Sequence, residues 1–309
     1  MVAGRIRVAA IDCGTNSIRL LVTDVDGTTK DDLVREMRIV RLGQDVDTTG
    51  RLAPEAIERT LSACREYAAV IETMEAEVVA FAATSAARDA ANAEEFGDAV
   101  AGLLGVRPRI LTGVEEARAS FEGATGDASD VLTAVIDLGG GSTEVVQGRG
   151  EPSFARSFDV GSVRMTERFL HSDPPTVAEV TACMSALDAV LAPVLGGLEP
   201  SVEVVGVAGT ITTIAAHALG LPGYDHAAID GARLPVEDLR AACTSLVQMS
   251  LLERRALPYM HPGRADVIGG GALILDRVLE HLPRAGGEVA VSERDILDGI
   301  AWAAAREAS

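Results

Sequence analysis

One seven-residue pattern occurs twice in this chain, and it limits the folds open to it more than any other feature. Ile11-Asp12-Cys13-Gly14-Thr15-Asn16-Ser17 and Ile136-Asp137-Leu138-Gly139-Gly140-Gly141-Ser142 agree at Ile, Asp, Gly and Ser in identical register. Each copy follows an apolar, strand-like run and precedes another. One copy alone reads as an ordinary hairpin. Two copies of strand–Asp-x-Gly-x-x-Ser–strand indicate an internal duplication, hence two similar lobes each carrying one such turn. A turn of this kind leaves several backbone N–H groups free to converge on one anion, and its small side chains let a phosphate approach.

The hydroxyls of Thr15, Ser17, Ser142 and Thr143 and the Asn16 amide add donors to these turns, with Gly14 and Gly139–Gly141 supplying the close approach. Asp12 and Asp137 end their strands, where a carboxylate either caps its own turn or serves Mg²⁺. Their pairing across the duplication favours the second reading. A third segment has a related composition: the strand-like Val202–Val207 runs into Ala208-Gly209-Thr210-Ile211-Thr212-Thr213, a helix start with unpaired N–H groups suited to phosphate.

Around these turns the pattern alternates strand and helix. Arg7–Asp12, Ile18–Val25, Leu33–Leu42, Val78–Ala82 and Arg109–Leu111 read as strands of the first half. Helices are expected at about Pro54–Glu75, Glu94–Leu104 and Val114–Gly123. The turn-rich GATGDASD, Gly123–Asp130, marks a lobe boundary between residues 127 and 128. Beyond it, Val131–Asp137, Thr143–Gln147, Phe154–Asp159, Val202–Val207 and Val289–Val291 read as strands. Helices follow at Val163–Phe169, Val177–Leu195, Thr210–Ala218, Val236–Gln248, Asp266–Leu282 and Asp295–Arg306.

Two further groups carry chemistry. In Thr112-Gly113-Val114-Glu115-Glu116, Thr112 and Glu115 fit a capping box, which occupies Glu115 in helix structure. Glu116 is then left to orient a water, although a first-turn carboxylate also stabilises a helix through its dipole. Arg88 in Thr84-Ser85-Ala86-Ala87-Arg88 is expected in a loop at a strand end, placed to stabilise charge on a phosphoryl group.

Composition sets the outer limits. With 309 residues, 48% of them hydrophobic, the chain can bury about two cores. No export signal is expected at the start, and apolar runs such as Val131–Leu138 are strand-sized, well below the roughly 20 residues of a membrane helix. A soluble, cytoplasmic protein follows, with the four scattered cysteines as free thiols and no zinc-type ligand spacing. The net charge of −19 argues against nucleic-acid and anionic-membrane partners. It also means that a polyanionic substrate must be held locally, by amides, arginines and divalent metal.

Together, IDCGTNSIRLLV, TSAARDAAN, TGVEEA, IDLGGGSTE and AGTITT resemble the exopolyphosphatase/guanosine pentaphosphate phosphatase (Ppx/GppA) family, in the expected order from about Ile6 to the C-terminus. The resemblance implies an α/β fold of two actin-like, ribonuclease H-like lobes of the acetate kinase, sugar kinase, Hsp70 and actin superfamily, with a cleft between them. The lobes would comprise residues 1–127 and 128–294, with helix 295–309 packing on the first. It implies release of orthophosphate from the end of inorganic polyphosphate with Mg²⁺ or Mn²⁺, and a homodimer. Glu116 matches the catalytic base, Arg88 the arginine of its motif, and Asp137 and Glu144 the acidic residues tied to metal and water; Asp12 joins them as a metal group. Gly139, Gly140, Gly141, Ser142 and Gly209, with neighbouring Thr143 and Thr210, match phosphate-loop positions, as do Asp12, Asn16 and Ser17 with Gly14 and Thr15.

Two departures stand out. Longer members carry a C-terminal helical HD-like domain that is not expected here, which points to short polyphosphates. The family segment S-x-G-x-x-R-E-G reads Ser292-Glu293-Arg294-Asp295-Ile296-Leu297-Asp298-Gly299, with Leu297 in the place of an arginine and Arg294 as a weak substitute. Rival readings are a guanosine pentaphosphate (pppGpp) 5′-phosphatase, mildly disfavoured by 3% aromatic residues, a superfamily kinase or ATPase, and a non-catalytic polyphosphate or nucleotide sensor.

Overall fold

A computed structural model describes residues 5–27, 29–126 and 130–309. The chain divides into two compact units, Met1–Asp127 with Asp295–Ser309, and Ala128–Arg294. The expected boundary at 127/128 lies outside the described residues.

Unit 1 runs β1 (Ile6–Cys13), β2 (Ser17–Asp26), β3 (Thr29–Ile39), α1 (Val46–Thr49), α2 (Pro54–Thr73), β4 (Val78–Ala83), α3 (Ser85–Asp89), α4 (Ala93–Leu104), β5 (Arg109–Ile110) and α5 (Gly113–Thr125). Its sheet has the order β3-β2-β1-β4-β5, antiparallel through the two hairpins and parallel from β1 to β5. From Val8 onward β1 is buried on both faces, as a central strand covered on both sides must be. One face, with Ala9, Ile11, Ile18 and Leu20, packs against α2 and α4. Pro54 starts α2, where its missing donor costs nothing, and Tyr67 anchors it by donating to the Ile18 carbonyl at 3.0 Å. The other face, with Val8, Ala10 and Leu21, is covered by the last helix of the chain, α13 (Ile296–Ala308).

The start of α13 is unusually acidic for a buried segment. Asp298 has no exposed surface and meets Lys30 Nζ at 2.7 Å and Arg35 at 2.6 Å, both from β3. Helices α13 and α5 cross where neither tolerates a side chain: a Cβ on Gly299 would lie 2.1 Å from the Ala119 carbonyl oxygen, and one on Gly123 1.8 Å from that of Asp295. Leu297 is core in unit 1, packed with Val8, Ala10, Leu21 and Leu111, so the position that departs from the family segment faces apolar side chains rather than a phosphate. Arg294 is exposed.

Unit 2 runs β6 (Thr133–Leu138), β7 (Thr143–Arg149), β8 (Glu151–Phe158), α6 (Ser162–Phe169), α7 (Val177–Leu195), β9 (Glu203–Val207), α8 (Ala208–Ala218), α9 (His226–Ile229), β10 (Arg233–Pro235), α10 (Val236–Gln248), α11 (Leu251–Ala256), α12 (Ile268–His281) and β11 (Glu288–Val291). The sheet order is β10-β11-β9-β6-β7-β8. Its first three strands in sequence, and the strand parallel to the first of them, repeat the arrangement of unit 1. Helix α7 corrects the expectation that every apolar run is strand-sized. Its 19 residues are long and apolar enough, by length and composition alone, to cross a membrane. Cys183, Leu187, Leu191 and Leu195 at four-residue spacing pack it into the unit 2 core. All four cysteines are free and buried.

Candidate active site

The duplicated pattern forms two turns with the same internal bond. Gly14 N–H donates to the Ser17 carbonyl at 2.9 Å, and Gly139 N–H donates to that of Ser142 at 3.0 Å. These two amides close their own turns, so neither is available to an anion. The N–H groups of Thr15, Gly140, Gly141 and Ser142 donate to no backbone carbonyl among the described residues. That is the arrangement a phosphate nest requires. The Asn16 carbonyl accepts from the amides of Val40 and Arg41, which locks the first turn to the end of β3. Thr15 is buried, its hydroxyl 3.4 Å from that of Ser85. Ser17 begins β2. Thr143 differs from expectation: it lies fully buried in β7 and donates its hydroxyl to the Val160 carbonyl at 2.6 Å, so that donor is used by the fold.

The two aspartates have different neighbours. Asp12 faces Arg19 across the β1–β2 ladder, and Arg19 Nη2 lies 2.6 Å from its carboxylate. Arg19 also bonds Asp295 at the N-cap of α13. Burial pushes the Asp12 carboxyl up, against the pull of Arg19. Burial works against the charge of Arg19, but Asp295 and Asp12 outweigh it and hold the guanidinium well above its ordinary value. The metal role expected of Asp12 is therefore not what its surroundings support, since its charge is engaged by an arginine.

Asp137 faces Glu144 across the β6–β7 ladder, and both are buried, at 6% and 1% exposure. Glu144 in turn faces Ser157 on β8, whose hydroxyl donates to it at 2.6 Å. Like charges directly opposite in a sheet repel, more so when buried. A divalent cation relieves that repulsion. Among the described residues no group of three or more His, Cys, Asp or Glu side chains is placed to hold a metal. Mg²⁺ nevertheless needs only one or two carboxylates when phosphate and water complete its shell, and Asp137 with Glu144 fit that requirement.

The capping box expected at Thr112 and Glu115 is formed. The Thr112 side chain accepts from Glu115 N–H at 3.3 Å, and Glu115 accepts from Thr112 N–H at 2.8 Å, a complete capping box. Bonds from the Thr112 backbone and hydroxyl, then from Arg109, lower the Glu115 carboxyl to about 2. Glu116 is buried and accepts from Arg88 Nη1 at 3.0 Å, the same nitrogen that donates to the Leu111 carbonyl. Arg88 sits in the last turn of α3, a short helix, rather than in the expected loop.

In unit 2 the third turn is strained, with Ala208 at φ +69° just before Gly209. Arg264 lies flat on Gly209: a Cβ there would sit 2.1 Å from its guanidinium. Arg264 Nη1 also lies 3.4 Å from the Thr213 hydroxyl, which donates to the Gly209 carbonyl at 2.6 Å. Thr210 is buried in the first turn of α8. This arginine beside the turn was missed by sequence reasoning. The only signal for it was Gly209 itself, a residue with no side chain where a helix begins. Unit 1 thus brings together Asp12, Gly14–Ser17, Arg88 and Glu116, and unit 2 brings together Asp137, Gly139–Glu144, Gly209 and Thr210.

The sequence profile of the Ppx/GppA phosphatase family matches residues 21–303. Exopolyphosphatase 2 of Mycobacterium tuberculosis is 49% identical over 310 aligned positions, covering 96% of this chain and 97% of that protein. The crystal structure of an exopolyphosphatase-like protein aligns with a TM-score of 0.90 at 41% identity over 99% of both chains. The Aquifex aeolicus Ppx/GppA family member aligns at 0.83 and 30% identity over 99% of both chains. The sheets, the duplicated turns and these likenesses agree, and the chain, a mixed α/β protein with two sheets, belongs to the Ppx/GppA phosphatase family.

Proposed function

We propose that this protein is an exopolyphosphatase, hydrolysing the terminal phosphoanhydride of inorganic polyphosphate to orthophosphate. The observation that carries the reading is Glu116. It is buried, relieved of helix capping by Glu115, and held at 3.0 Å by Arg88. The identity to a relative named exopolyphosphatase supports the substrate class.

In this reading Glu116 orients a water and takes its proton as the water oxygen bonds to the terminal phosphorus. The bridging P–O bond breaks, and the shortened chain leaves on that oxygen. Arg88 and the amides of the turns stabilise the charge gathered on the equatorial oxygens. Asp137 and Glu144 would hold Mg²⁺, or Mn²⁺ in its place, which neutralises phosphate oxygens that a chain of net charge −19 would otherwise repel. Asp12 keeps Arg19 in position.

The test is phosphate release with Mg²⁺ from tripolyphosphate and long-chain polyphosphate, with guanosine pentaphosphate in parallel. Glu116→Gln should lower kcat by about 10²–10⁴-fold while the far-ultraviolet spectrum is unchanged. Near-normal turnover by the folded variant would refute the assignment. Faster release from guanosine pentaphosphate than from either polyphosphate would move the substrate to the nucleotide.

A further inference from the structure

The second phosphate turn is held from one side by the start of a single helix. Ser162 N–H donates to the Gly139 carbonyl at 3.0 Å, and Val163 N–H donates to that of Gly140 at 2.9 Å, with Arg164 N–H also on Gly140 at 3.3 Å. Arg164 Nε then donates to the Gly141 carbonyl at 2.8 Å. Three consecutive carbonyls of the turn therefore accept from the first three residues of α6. So close a contact needs Gly161 just before the helix. A Cβ there would lie 2.4 Å from the carbonyl carbon and oxygen of Gly140 and from the Gly141 nitrogen. Gly161 has an extended φ of −141°, so the position demands space rather than backbone freedom.

In a trans peptide the C=O of one residue and the N–H of the next point in opposite directions. The peptides of this turn are trans. Fixing the carbonyls of Gly139, Gly140 and Gly141 toward α6 therefore turns the N–H groups of Gly140, Gly141 and Ser142 to the other side. These are the same three amides that donate to no backbone carbonyl among the described residues. The first two are oriented by backbone bonds, but the third is oriented by a side chain, that of Arg164. In the first turn the carbonyls of Thr15 and Asn16 accept from the backbone amides of Gly43, Val40 and Arg41. Helix α6 is itself backed by α12, where a Cβ on Gly270 would lie 2.7 Å from the Ser162 carbonyl oxygen.

We propose that Arg164 is a positioning residue, which holds the Gly141–Ser142 peptide so that the Ser142 amide faces a phosphate oxygen. The proposal rests on the reading of this turn as a phosphate site and deepens it. Glycine backbone rotates easily, so a Gly141 carbonyl without its donor lets the peptide turn and carries the Ser142 N–H out of line. An amide fixed in advance needs no reorganisation when the anion arrives. Arg164 acts through a neutral carbonyl on the side of the turn opposite these amides. The donor at its Nε, rather than its charge, therefore carries the role.

Two variants separate donor from charge. Glutamine carries its amide nitrogen as many bonds from Cα as arginine carries Nε, so Arg164→Gln keeps the donor and drops the charge. Arg164→Met drops both at similar length. Methylenediphosphonate, a non-hydrolysable pyrophosphate analogue, is titrated with Mg²⁺ into the isotope-labelled full-length protein, and the assigned backbone amides are followed by NMR. In the wild type the Gly140, Gly141 and Ser142 signals should shift together, and that of Gly139, which closes its own turn, should move least. Arg164→Met should weaken binding about tenfold, the scale of one lost bond to a charged group, with the Ser142 response falling most. Arg164→Gln should bind within about threefold of wild type. Equal loss in both variants would assign the effect to charge and overturn the proposal, as would unchanged binding in Arg164→Met. If Arg164→Met fails to fold, Arg164→Lys replaces it, keeping the charge with its nitrogen one atom further out. Silent turn amides in the wild type would remove the phosphate site and the proposal with it. Phosphate release is not the readout, so an error in the role of Glu116 leaves the result standing.

Discussion

The hairpins beginning at Asp12 and Asp137 are copies, yet their second strands have been given opposite charges. Seven positions after the aspartate, and directly across the ladder from it, unit 1 has Arg19 and unit 2 has Glu144. The same backbone thus holds a carboxylate facing a guanidinium in one unit and two facing carboxyl groups in the other. The first copy spends its aspartate on architecture, through Arg19 to Asp295 at the start of α13. The second sets two carboxyl groups side by side, the pair proposed above to hold Mg²⁺. The two hairpins share a turn and differ in the charge of the residue that faces the aspartate.

Three experiments press on this contrast. The largest effect is expected from Arg19→Met, which strands Asp12 and Asp295, 5% and 3% exposed, without their shared counter-charge. Breaking a buried ion pair from one side costs about 3–5 kcal/mol, measurable as a fall in the urea midpoint. A loss below about 1 kcal/mol would mean that the unit 1 pair is not structural. Next comes Glu144→Arg, which rewrites the second hairpin as the first. The protein should stay folded, while phosphate release in Mg²⁺ drops about 10²–10³-fold, the scale of removing one electrostatic group from an active site. Retained activity would show that the charge difference between the copies is incidental.

The smallest effect concerns the neighbour that leaves Glu116 free. Glu115→Ala should cost about 1 kcal/mol of stability, as helix caps do, and change kcat less than twofold. Its pH dependence has a definite sign. The folded carboxyl titrates at about 2 against an ordinary 4.5, so its contribution is complete above pH 4.5 and is lost as pH falls toward 2. Thermal unfolding of wild type and variant should therefore differ at pH 6 and converge on acidification. A gap that is constant with pH would assign the cap to the Thr112 hydroxyl alone.

Much of this was legible in the sequence because it is local. The duplicated turns, the alternation of strands and helices, and the division between Glu115 and Glu116 each depend on residues within a few positions of one another. What escaped depends on residues brought together from afar. Asp12 is engaged through Arg19 to a residue 276 positions beyond that arginine. Arg264 reaches Gly209 across three intervening helices, α9, α10 and α11, and nothing near either residue announces the other. Thr143 reads as a phosphate donor until the Val160 carbonyl is found beside it. Arg88 was placed in a loop because α3 has only five residues, too few for helical periodicity to register.

The placement of α13 has a consequence for how the protein is made. Unit 2 is one continuous stretch, Ala128–Arg294, whereas the inner face of β1, with Val8 and Ala10, is covered by a helix that begins only at Ile296. On the ribosome, the first unit must wait for roughly 170 more residues, about 10–30 s at usual elongation rates, before its sheet can be sealed. Meanwhile the second can complete itself as soon as it emerges. The part of the chain translated first is thus the part that finishes last, and its half-covered sheet is the interval in which a nascent-chain chaperone has most to protect.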